Sequence, residues 1–493
     1  MAPPFFVFDN RFMHDCVGCF VPWQPVAVAA PKMIRFNRAL ALELGLDAEA
    51  LDSPLGASLL SGNQVPEGAQ PLAQVYAGHQ FGHFSPQLGD GRALLLGELI
   101  DRYGQRRDLA LKGSGRTPFA RGGDGKAAVG PVLREYLLGE AMHALGIPTT
   151  RALAAVRTGE WIHRDVGRLP GAVLARVAAS HVRVGTFQYF AARGEIGSLR
   201  ALAEHVIARH YPDLQDHADR YLACLHAVSE RQAALIAHWM AVGFIHGVMN
   251  TDNMTLSGET IDYGPCAFLD AYDPNTVFSA IDAYGRYAYA NQPIVARWNL
   301  ARLAEAWLPL LDEDPQRAVT LANEVVDTFA RRYQRHWIAL MRKKLGILTL
   351  EAGDPKLIED FLSTMAEQRV DFTLAFRHLS AALYGNEEPL RALWMEPTGI
   401  AAWLVRWRDR LARDGAPPEE QAEVQRLANP IYIPRNHQVE IALKAAVEHE
   451  DLAPLDRLLT VLSHPFDEQP DAAAYALPAT ADQAAGYRTF CGT

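Results

Sequence analysis

Asp252 and Asn253 stand side by side in the loop 246–254, and Asp262 follows nine residues after Asn253. Carboxylate and amide oxygens are ligands that suit a hard divalent cation, and such a cation carries nucleotide phosphates in many enzymes. A carboxylate beside a metal ligand is also placed to accept a proton. An Asp-Asn pair is common in polar turns as well, but the apolar helical segment before this pair and the acidic motif after it favour a functional site.

The spacing of these residues matches the protein-kinase signature, in which His-Arg-Asp, four residues and Asn are followed later by Asp-Phe-Gly. Aligning His246 with the first His of that signature puts Val248 at the catalytic Asp. Asn253 then falls at the metal-binding Asn, and Asp262 at the Asp of Asp-Phe-Gly. A valine cannot accept a proton. The chain is therefore either an inactive kinase that still binds nucleotide, or one in which another group, with Asp252 the nearest candidate, acts as the base.

Length and composition limit the classes of protein to consider. A chain of 493 residues is too long for one simple core, which predicts two or three subdomains. Its 49% hydrophobic and 21% charged residues are ordinary for a globular protein, and a net charge of -10 argues against a nucleic-acid partner. The sequence shows no apolar run of membrane-spanning length and no secretory signal, which predicts no membrane contact and a cytoplasmic location.

Five cysteines do not indicate a disulfide framework. Cys16 and Cys19 form the single Cys-x-x-Cys of the chain, which supports a structural zinc site only weakly and is best interpreted as chance placement.

The first 70 residues are predicted to be an extension of the main body. Within it, 31–44 has the apolar spacing of a helix, and Gly45 is a suitable stop. A stretch rich in Ser, Gly, Pro and Gln at 53–71 then predicts a linker at a domain boundary.

The region 72–112 changes to a strand-like pattern. The predicted strands are 74–82, 93–100 and 108–112, the last two forming a hairpin. Between the first two strands lie Gly89, Gly91 and Arg92, where glycines would let backbone N–H groups approach phosphates and the arginine adds positive charge. A Gly-x-Gly is usually only a hairpin turn, and its position in the strand order is what favours a phosphate loop here.

Lys112 ends the third predicted strand, and a helix is predicted next, over 131–145. In kinases the lysine of that strand holds phosphates and pairs with a glutamate of the following helix. Glu135 lies near the start of this helix and off its apolar stripe, so it is the expected partner of Lys112, with Glu140 as the alternative. Without that helix, a lysine at a strand end would be interpreted as a solvated charge.

The segment 112–126 is rich in glycine and in Lys and Arg, and it contains Asp124 and Gly125. This composition fits a mobile flap over phosphates, and it fits a disordered surface loop equally well. Arg176 and Arg183 stand where one predicted lobe passes into the next and could hold a polyphosphate bidentately, although an arginine of unknown position is usually a surface residue.

Further strands and then helices complete the predicted order of elements. The strands are 151–156, 160–164 and 171–176, and the first helices of the second half are 198–210 and 216–242.

Taken together, these motifs resemble the selenoprotein O family, and the likeness covers nearly the whole chain. The motifs are Tyr76-Ala-Gly-His-Gln-Phe-Gly-His-Phe84, Gly89-Asp-Gly-Arg92, Leu111-Lys-Gly-Ser-Gly-Arg-Thr-Pro-Phe119, His246-Gly-Val-Met-Asn-Thr-Asp-Asn-Met254 and Asp262-Tyr-Gly-Pro265. The resemblance implies an α+β, protein-kinase-like fold of two lobes that transfers AMP from ATP to Ser, Thr or Tyr hydroxyls of proteins and releases pyrophosphate. In that family the nucleotide lies flipped relative to kinases. Some members are described as transferring UMP from UTP with manganese, and the sequence does not choose between these.

The resemblance also implies a role for each motif residue. Those expected to contact ATP are Gly89, Gly91, Arg92, Lys112 held by Glu135, Asp124, Gly125, Arg176, Arg183 and Asp262. Asn253 and Asp262 would bind Mg²⁺ or Mn²⁺, and Asp252 would be the proton acceptor.

The predicted organisation has four parts: an N-terminal extension (1–70), a β-rich N-lobe (71–185), a helical C-lobe (186–300) and a helical C-terminal region with a tail (301–493). Family members carry selenocysteine or cysteine near the C-terminus, a position that Cys491 matches. Because Cys266 follows the Asp-Tyr-Gly motif, a regulatory disulfide between the two is a further hypothesis.

Two other functions remain open on the sequence. One is a phosphotransferase of the same fold, against which Val248 at the kinase base position speaks. The other is an inactive scaffold that binds nucleotide, against which the complete set of metal ligands and carboxylate speaks.

Overall fold

The chain folds as an α+β protein, seen in a computed structural model that describes residues 5–165 and 167–490. The strands are β1 (Phe20–Pro22), β2 (Lys32–Phe36), β3 (Leu72–Gln74), β4 (Gly78–Gln80), β5 (His83–Ser85), β6 (Ala93–Ile100), β7 (Arg106–Lys112), β8 (Ala127–Ala128), β9 (Arg151–Arg164), β10 (Gly167–Ala178), β11 (Phe244–Ile245) and β12 (Ala267–Phe268).

Helices fill most of the chain after β10. The α-helices are α1 (Arg11–Asp15), α2 (Arg38–Glu43), α3 (Ala48–Leu51), α4 (Pro54–Ser61), α5 (Val129–Ala144), α6 (Val184–Ala191), α7 (Ile196–His210), α8 (Arg220–Val242), α9 (Gln292–Leu311), α10 (Pro315–Lys344), α11 (Asp354–Gln368), α12 (Phe372–Leu383), α13 (Glu388–Arg391), α14 (Thr398–Asp414), α15 (Pro418–Ala428), α16 (Asn436–Glu448), α17 (Ala453–Leu462), α18 (Ala473–Ala476) and α19 (Ala481–Ala484). Short 3₁₀ turns are Pro212–Leu214, Thr251–Asn253, Tyr289–Asn291 and Pro470–Ala472. Within the described ranges, no helix combines the length and the apolar character that crossing a bilayer requires.

One eight-stranded sheet organises the first half of the chain. Its order is β1-β3-β6-β7-β10-β9-β2, and β8 pairs beside β10. Side chains alternate between the two faces of a strand, so Leu174 packs against α5, α16 and α17 while Val173 and Ala175 pack against α2 to α4. Both faces are thereby buried, which explains why the central strands read as nearly continuous apolar runs.

The second half of the chain builds a helical core from α6 to α14, and this core also takes in buried residues of β3, β6 and α5. Helix α8 crosses this core and delivers the chain to β11, which pairs antiparallel with β12 through Phe244 and Phe268. This short pairing closes the loop 246–266 at its base and holds both of its ends against the helical core.

Several predicted elements are confirmed with shifted ends. The hairpin of β6 and β7 is present, as are the helices predicted at 131–145, 198–210 and 216–242, which are α5, α7 and α8. The strands predicted at 151–156 and 160–164 are one long strand, β9.

The helix predicted over 31–44 is wrong in its first half. Lys32–Phe36 is the strand β2, which pairs with β9 at the edge of the sheet, and helix α2 begins only after Asn37, whose side chain accepts a hydrogen bond from the Leu40 N–H. Long-range pairing overrides the apolar spacing there.

Two predictions between 53 and 82 are also corrected. The linker predicted at 53–71 contains helix α4, capped by Ser53 and started by Pro54. The strand predicted over 74–82 is divided, since β3 joins the main sheet and β4 turns away to pair with β5.

The C-terminal helices are held to the loop after β12 by a buried cation. Arg435, which precedes α16, donates to Asp270 and Asp371 at 2.6 Å each and to the carbonyl of Ala476 at 2.8 Å. Its side chain is fully buried.

We expect Arg435→Ala to lower the free energy of unfolding by about 3–5 kcal/mol, because two carboxylates would lose their buried partner. Urea denaturation followed by circular dichroism measures the change. Arg426→Ala is the matched control, since that arginine is exposed and pairs with exposed Glu423. Equal denaturation midpoints for both variants would contradict a stabilising role for Arg435.

Candidate functional site

Lys112 lies at the end of β7 and meets two carboxylates. Its Nζ donates to Glu135 Oε2 of α5 at 2.5 Å and to Asp262 Oδ1 at 2.8 Å. The partner expected from the helix position is therefore the one that the structure shows, while Glu140 instead pairs with Arg151. The strand, the helix and the acidic motif meet at this lysine.

Arg176 of β10 binds the same two carboxylates. Its Nη1 lies 3.1 Å from Glu135 Oε1 and 2.7 Å from Asp262 Oδ1. Its Nε donates to His181 Nε2 at 3.2 Å, and His181 Nδ1 in turn donates to Asp108 at 2.8 Å. Burial lowers the pKa of His181 and thereby favours its neutral form. The Arg176 guanidinium is thus held by the two carboxylates through Nη1 and by His181 through Nε.

Arg183, directly before α6, joins the acidic motif to the loop 246–254. Its Nη1 donates to Asp262 Oδ2 at 3.1 Å and to the backbone carbonyl of Asp252 at 2.9 Å. Its guanidinium also lies 4.7 Å from the centre of the Tyr76 ring, a cation–π distance. One buried side chain therefore spans the predicted metal ligand and the predicted base.

Three cations fix the protonation state of Asp262. Burial alone would raise the pKa of its carboxyl, but Lys112, Arg176 and Arg183 hold it well below the usual value. Its backbone has a φ of 63°, in the left-handed region that costs an L-residue about 1–2 kcal/mol. The ion pairs offset that strain.

Asp252 is in a different electrostatic environment. Its Oδ2 accepts a hydrogen bond from Gln80 Nε2 at 3.2 Å, and its Oδ1 is buried without a hydrogen-bond partner among the described residues. Burial raises the pKa of this carboxyl to about 6, against the opposing charge of Arg183. An acid with a pKa near neutrality and one unengaged oxygen is suited to proton transfer.

The loop that carries Asp252 is fixed from within. His246 Nε2 donates to the carbonyl of Ile261 at 2.9 Å, and its Nδ1 accepts from the Val248 N–H at 3.4 Å. Gly247, which replaces the arginine of the kinase signature, has a φ of 83°, and a Cβ there would lie 2.5 Å from the Pro265 carbonyl. The loop therefore closes tightly on the acidic motif.

The hairpin of β4 and β5 clamps the same loop from the sheet side. The His79 N–H donates to Thr251 Oγ1 at 2.7 Å, and the Phe81 N–H donates to Asn250 Oδ1 at 3.1 Å. The Tyr287 hydroxyl donates to the same Asn250 oxygen at 2.6 Å. The hairpin and the loop thus form one hydrogen-bonded unit around Asp252.

The donor set fits a divalent cation that is shared with phosphates. Asn253 Nδ2 donates to the Val248 carbonyl at 2.9 Å, which leaves the amide oxygen as its coordinating group. Asp262 supplies a second oxygen donor, and Arg183 links Asp262 to Asp252, the residue directly before Asn253. Across 5–165 and 167–490 there is no cluster of three or more His, Cys, Asp or Glu side chains able to hold a metal. A divalent cation held by so few protein ligands would take its remaining ligands from water and phosphates.

The flap residues take other partners. Asp124 pairs with Arg164 of β9 at 2.8 Å, so its carboxylate is directed to the sheet. Gly125 has a φ of 69°, and a Cβ there would lie 2.1 Å from the Gly115 carbonyl, so the turn requires glycine. The predicted mobile flap is thereby tied at Asp124.

The glycine loop lies against the same segment. The ring of Phe119 occupies the space that a side chain at Gly89 would need, and the Phe119 carbonyl does so at Gly91. The carbonyl of Arg92 accepts a hydrogen bond from the Gly113 N–H at 2.7 Å. The structure therefore brings both glycine-rich segments together, one over the other.

Sequence reasoning missed four groups that complete the site: Tyr76, Gln80, Asp108 and His181. The first two stand inside the motif that carried the family resemblance, which was a usable signal. Asp108 and His181 come from separate strands and loops, and no local pattern connects them.

A cleft of about 570 Å³ lies elsewhere, lined by 275–285 and by residues near the end of the described chain, 484–488. None of the residues predicted to bind nucleotide lines it. The side chains of the predicted site are joined by ion pairs. Cys266 is buried, whereas Cys491 lies outside the described residues, so the disulfide hypothesis stays a prediction.

Comparison with known proteins now defines the class. The family model described as protein adenylyltransferase SelO matches residues 16–463, and the chain belongs to this family. The resemblance inferred from the motifs is confirmed.

Individual relatives match over the full length. The protein nucleotidyltransferase YdiU of Cereibacter sphaeroides is 61% identical over 488 residues, covering 99% of this chain and all of the relative. The proteins of the same name from Methylorubrum populi and Rhizobium rhizogenes are each 57% identical, covering 99% and 98% of those relatives and 99% and 100% of this chain.

The clamp around Asp252 predicts a local effect of Tyr287→Phe. Removing the hydroxyl takes one hydrogen bond from Asn250, so we expect faster amide hydrogen exchange in 78–85 and 249–253, with a loss of about 1 kcal/mol in stability. Mass spectrometry of peptic fragments measures the exchange. Tyr284→Phe is the control, because Tyr284 is 99% exposed. Unchanged exchange in both segments of the Tyr287 variant would show that the clamp does not depend on this hydroxyl.

Proposed function

We propose that the chain transfers AMP from ATP to Ser, Thr or Tyr hydroxyls of proteins and releases pyrophosphate, with UMP transfer from UTP as the alternative. Asp252 is the observation that supports this most directly. It is a buried carboxylate with one unengaged oxygen, beside Asn253 and linked by Arg183 to Asp262. The family to which the chain belongs is described by the same activity.

The proposed architecture is kinase-like, with a sheet lobe (71–185) and a helical lobe (186–300), flanked by an extension (1–70) and a helical region (301–493). The order of the site residues along the chain supports it. A strand lysine, a helix glutamate, the loop 246–254 and an Asp-Tyr-Gly motif follow one another as they do in kinases. Lys112 also contacts both Glu135 and Asp262.

The cationic side chains are assigned to the phosphates. Lys112, Arg176 and Arg183 carry three positive charges around one cleft and now share Asp262 as their anion. A triphosphate would exchange for that carboxylate, which then turns to the cation that enters with the nucleotide. Mg²⁺ or Mn²⁺, held by Asn253 and Asp262, would neutralise phosphate charge.

The glycine-rich segments are assigned to covering the nucleotide. Gly89, Gly91 and Arg92 approach from one side, and Asp124 and Gly125 from the flap. Backbone N–H groups that lack neighbouring side chains can come close to phosphate oxygens. The tie between Asp124 and Arg164 would have to loosen if the flap residue contacts ATP.

Asp252 is assigned the role of base. The acceptor hydroxyl oxygen attacks the α-phosphorus, forming the new O–P bond while the bond from that phosphorus to the bridging oxygen of the β-phosphate breaks. Pyrophosphate leaves with the electron pair of the broken bond, and the hydroxyl proton passes to Asp252. Val248, at the kinase base position, is buried and apolar, which disfavours γ-phosphoryl transfer by the usual kinase route.

A labelling experiment tests the assignment. With lysate protein as acceptor, we expect label from α-labelled ATP and none from γ-labelled ATP. Asp252→Asn should lower transfer by about 10²–10⁴-fold, the usual contribution of a general base, and leave ATP binding in place. Asp262→Ala should abolish transfer. Asp327→Asn, an exposed carboxylate on α10, is the control. Transfer of γ-label would support a phosphotransferase, and ATP binding without either label would support a scaffold.

The raised pKa of Asp252 predicts the pH dependence. Only the deprotonated carboxylate accepts a proton, so kcat/KM should fall about tenfold per pH unit below pH 6 and level off above it. Initial rates at fixed ionic strength measure the profile. The residual activity of Asp252→Asn should lack this acidic limb. An identical limb in that variant would assign the titration to another group.

A further inference from the structure

Two arginines lie on one tryptophan near the clamp around Asp252. The guanidinium carbon of Arg286 is 4.8 Å from the centre of the Trp298 ring, and that of Arg302 is 5.0 Å away. Trp298 and Arg302 are four residues apart on α9 and so share one face of it. Both distances are those of cation–π contacts.

The charge of Arg286 is not balanced locally. Among the described residues, no carboxylate lies within ion-pair distance of it, and its buried Nε has no hydrogen-bond acceptor. Arg302, by contrast, pairs with Glu305 at 2.6 Å. On a chain with a net charge of -10, a guanidinium without a carboxylate partner that is fixed on an aromatic ring is a local positive site.

The hairpin of β4 and β5 connects this positive site to the proposed base. A Cβ at Gly82 would lie 3.6 Å from the guanidinium carbon of Arg286, so the hairpin backbone packs directly on that group. The same hairpin supplies Gln80 to Asp252, and the ring of His79 lies 5.1 Å from Trp298. The unpaired arginine and the base are therefore held by one short hairpin.

The position of Arg286 near the proposed base favours an anion that belongs to the acceptor protein and not to the nucleotide. The nucleotide phosphates already have Lys112, Arg176 and Arg183, which lie on the other side of Asp252 in the contact network. A guanidinium binds a carboxylate through two parallel N–H donors, and stacking on tryptophan keeps its plane oriented before binding. Burial and the positive charges of Arg286 and Arg302 lower the pKa of His79, which favours its neutral form. The positive charge near the hairpin therefore comes from the arginines.

We propose that Arg286, Trp298 and Arg302 form a docking site for an acidic side chain, Asp or Glu, that flanks the acceptor hydroxyl of a protein substrate. This inference rests on the proposed function, since it names the acceptors of the same site. Arg286 makes the ion pair, and Trp298, which also carries Arg302 on its ring, holds the guanidinium of Arg286 in place.

Peptide binding tests the docking site without requiring transfer. The probes are two fluorescein-labelled peptides with a central Ser, one with two Asp residues on each side and the other with Asn in their place. Fluorescence anisotropy gives Kd for each peptide on the full-length protein in the presence of ATP and Mg²⁺. We expect the Asp peptide to bind about tenfold more tightly than the Asn peptide, and the difference to shrink at about 0.3 M NaCl.

The variant Arg286→Gln should remove this preference, bringing the two Kd values within about twofold. Arg297→Gln is the matched control, because it removes the same charge at an exposed arginine of α9 that is already paired with Asp327. Equal Kd values for the two peptides on the unaltered protein would overturn the proposal. So would a preference that persists in Arg286→Gln or disappears in Arg297→Gln.

A second readout separates this inference from the proposed function. Transfer of α-label to lysate protein reports the reaction itself, and the Kd of ATP reports the nucleotide site. Tighter binding of the Asp peptide without any transfer of α-label would support the docking site and refute the proposed activity. Transfer of α-label without tighter binding of the Asp peptide would support the activity and refute the docking site. A weaker ATP Kd in Arg286→Gln would assign that arginine to the nucleotide and overturn the docking role.

Discussion

The site depends on one buried carboxylate, Asp262, that receives three cationic side chains. Lys112, Arg176 and Arg183 come from two strands and from the segment before a helix, and they would repel one another without a shared anion. Asp262 adopts a left-handed backbone conformation to reach them, and Glu135 provides the second negative charge. This arrangement joins the sheet to the helical part of the chain at the point where the nucleotide is proposed to bind.

Charge matching of this kind prepares the site for an anion. The cations are already desolvated and oriented, so a polyphosphate that replaces Asp262 as their anion meets donors that need little rearrangement. Arg183 also holds the backbone carbonyl of Asp252. If Arg183 exchanged the Asp262 carboxylate for a phosphate, the change would therefore also affect the loop that bears the proposed base, Asp252.

Local spacing was sufficient to find Asp252, Asn253 and Asp262, because loop motifs preserve order and interval along the chain. The pair of Lys112 with Glu135 was also predictable, because Lys112 ends a strand and Glu135 lies off the apolar stripe of the next helix. The contacts of Arg176 with His181 and of Arg183 with Tyr76 were not, because they arise only after distant strands and loops have packed. The same holds for β2, where pairing with β9 outweighs helical spacing, and for Asp124, whose partner Arg164 lies on another strand.

In the kinase signature the catalytic acid falls at position 248, whereas the candidate base of this chain is at position 252. This difference affects how an acceptor hydroxyl would reach the base. Val248 is packed in the core, whereas Asp252 lies in the turn Thr251–Asn253 under the hairpin of β4 and β5. Gln80 donates to one oxygen of its carboxylate and Arg183 to the carbonyl behind it, so Oδ1 is the carboxylate oxygen that lacks a hydrogen-bond partner among the described residues. Because Oδ1 is buried against this hairpin at Gly78, a hydroxyl that gives its proton to Oδ1 would have to enter beside the hairpin. Since Arg286 packs on the same hairpin at Gly82, an acceptor that enters there would lie near this arginine, and the residues that flank its hydroxyl would then be part of what the proposed site selects.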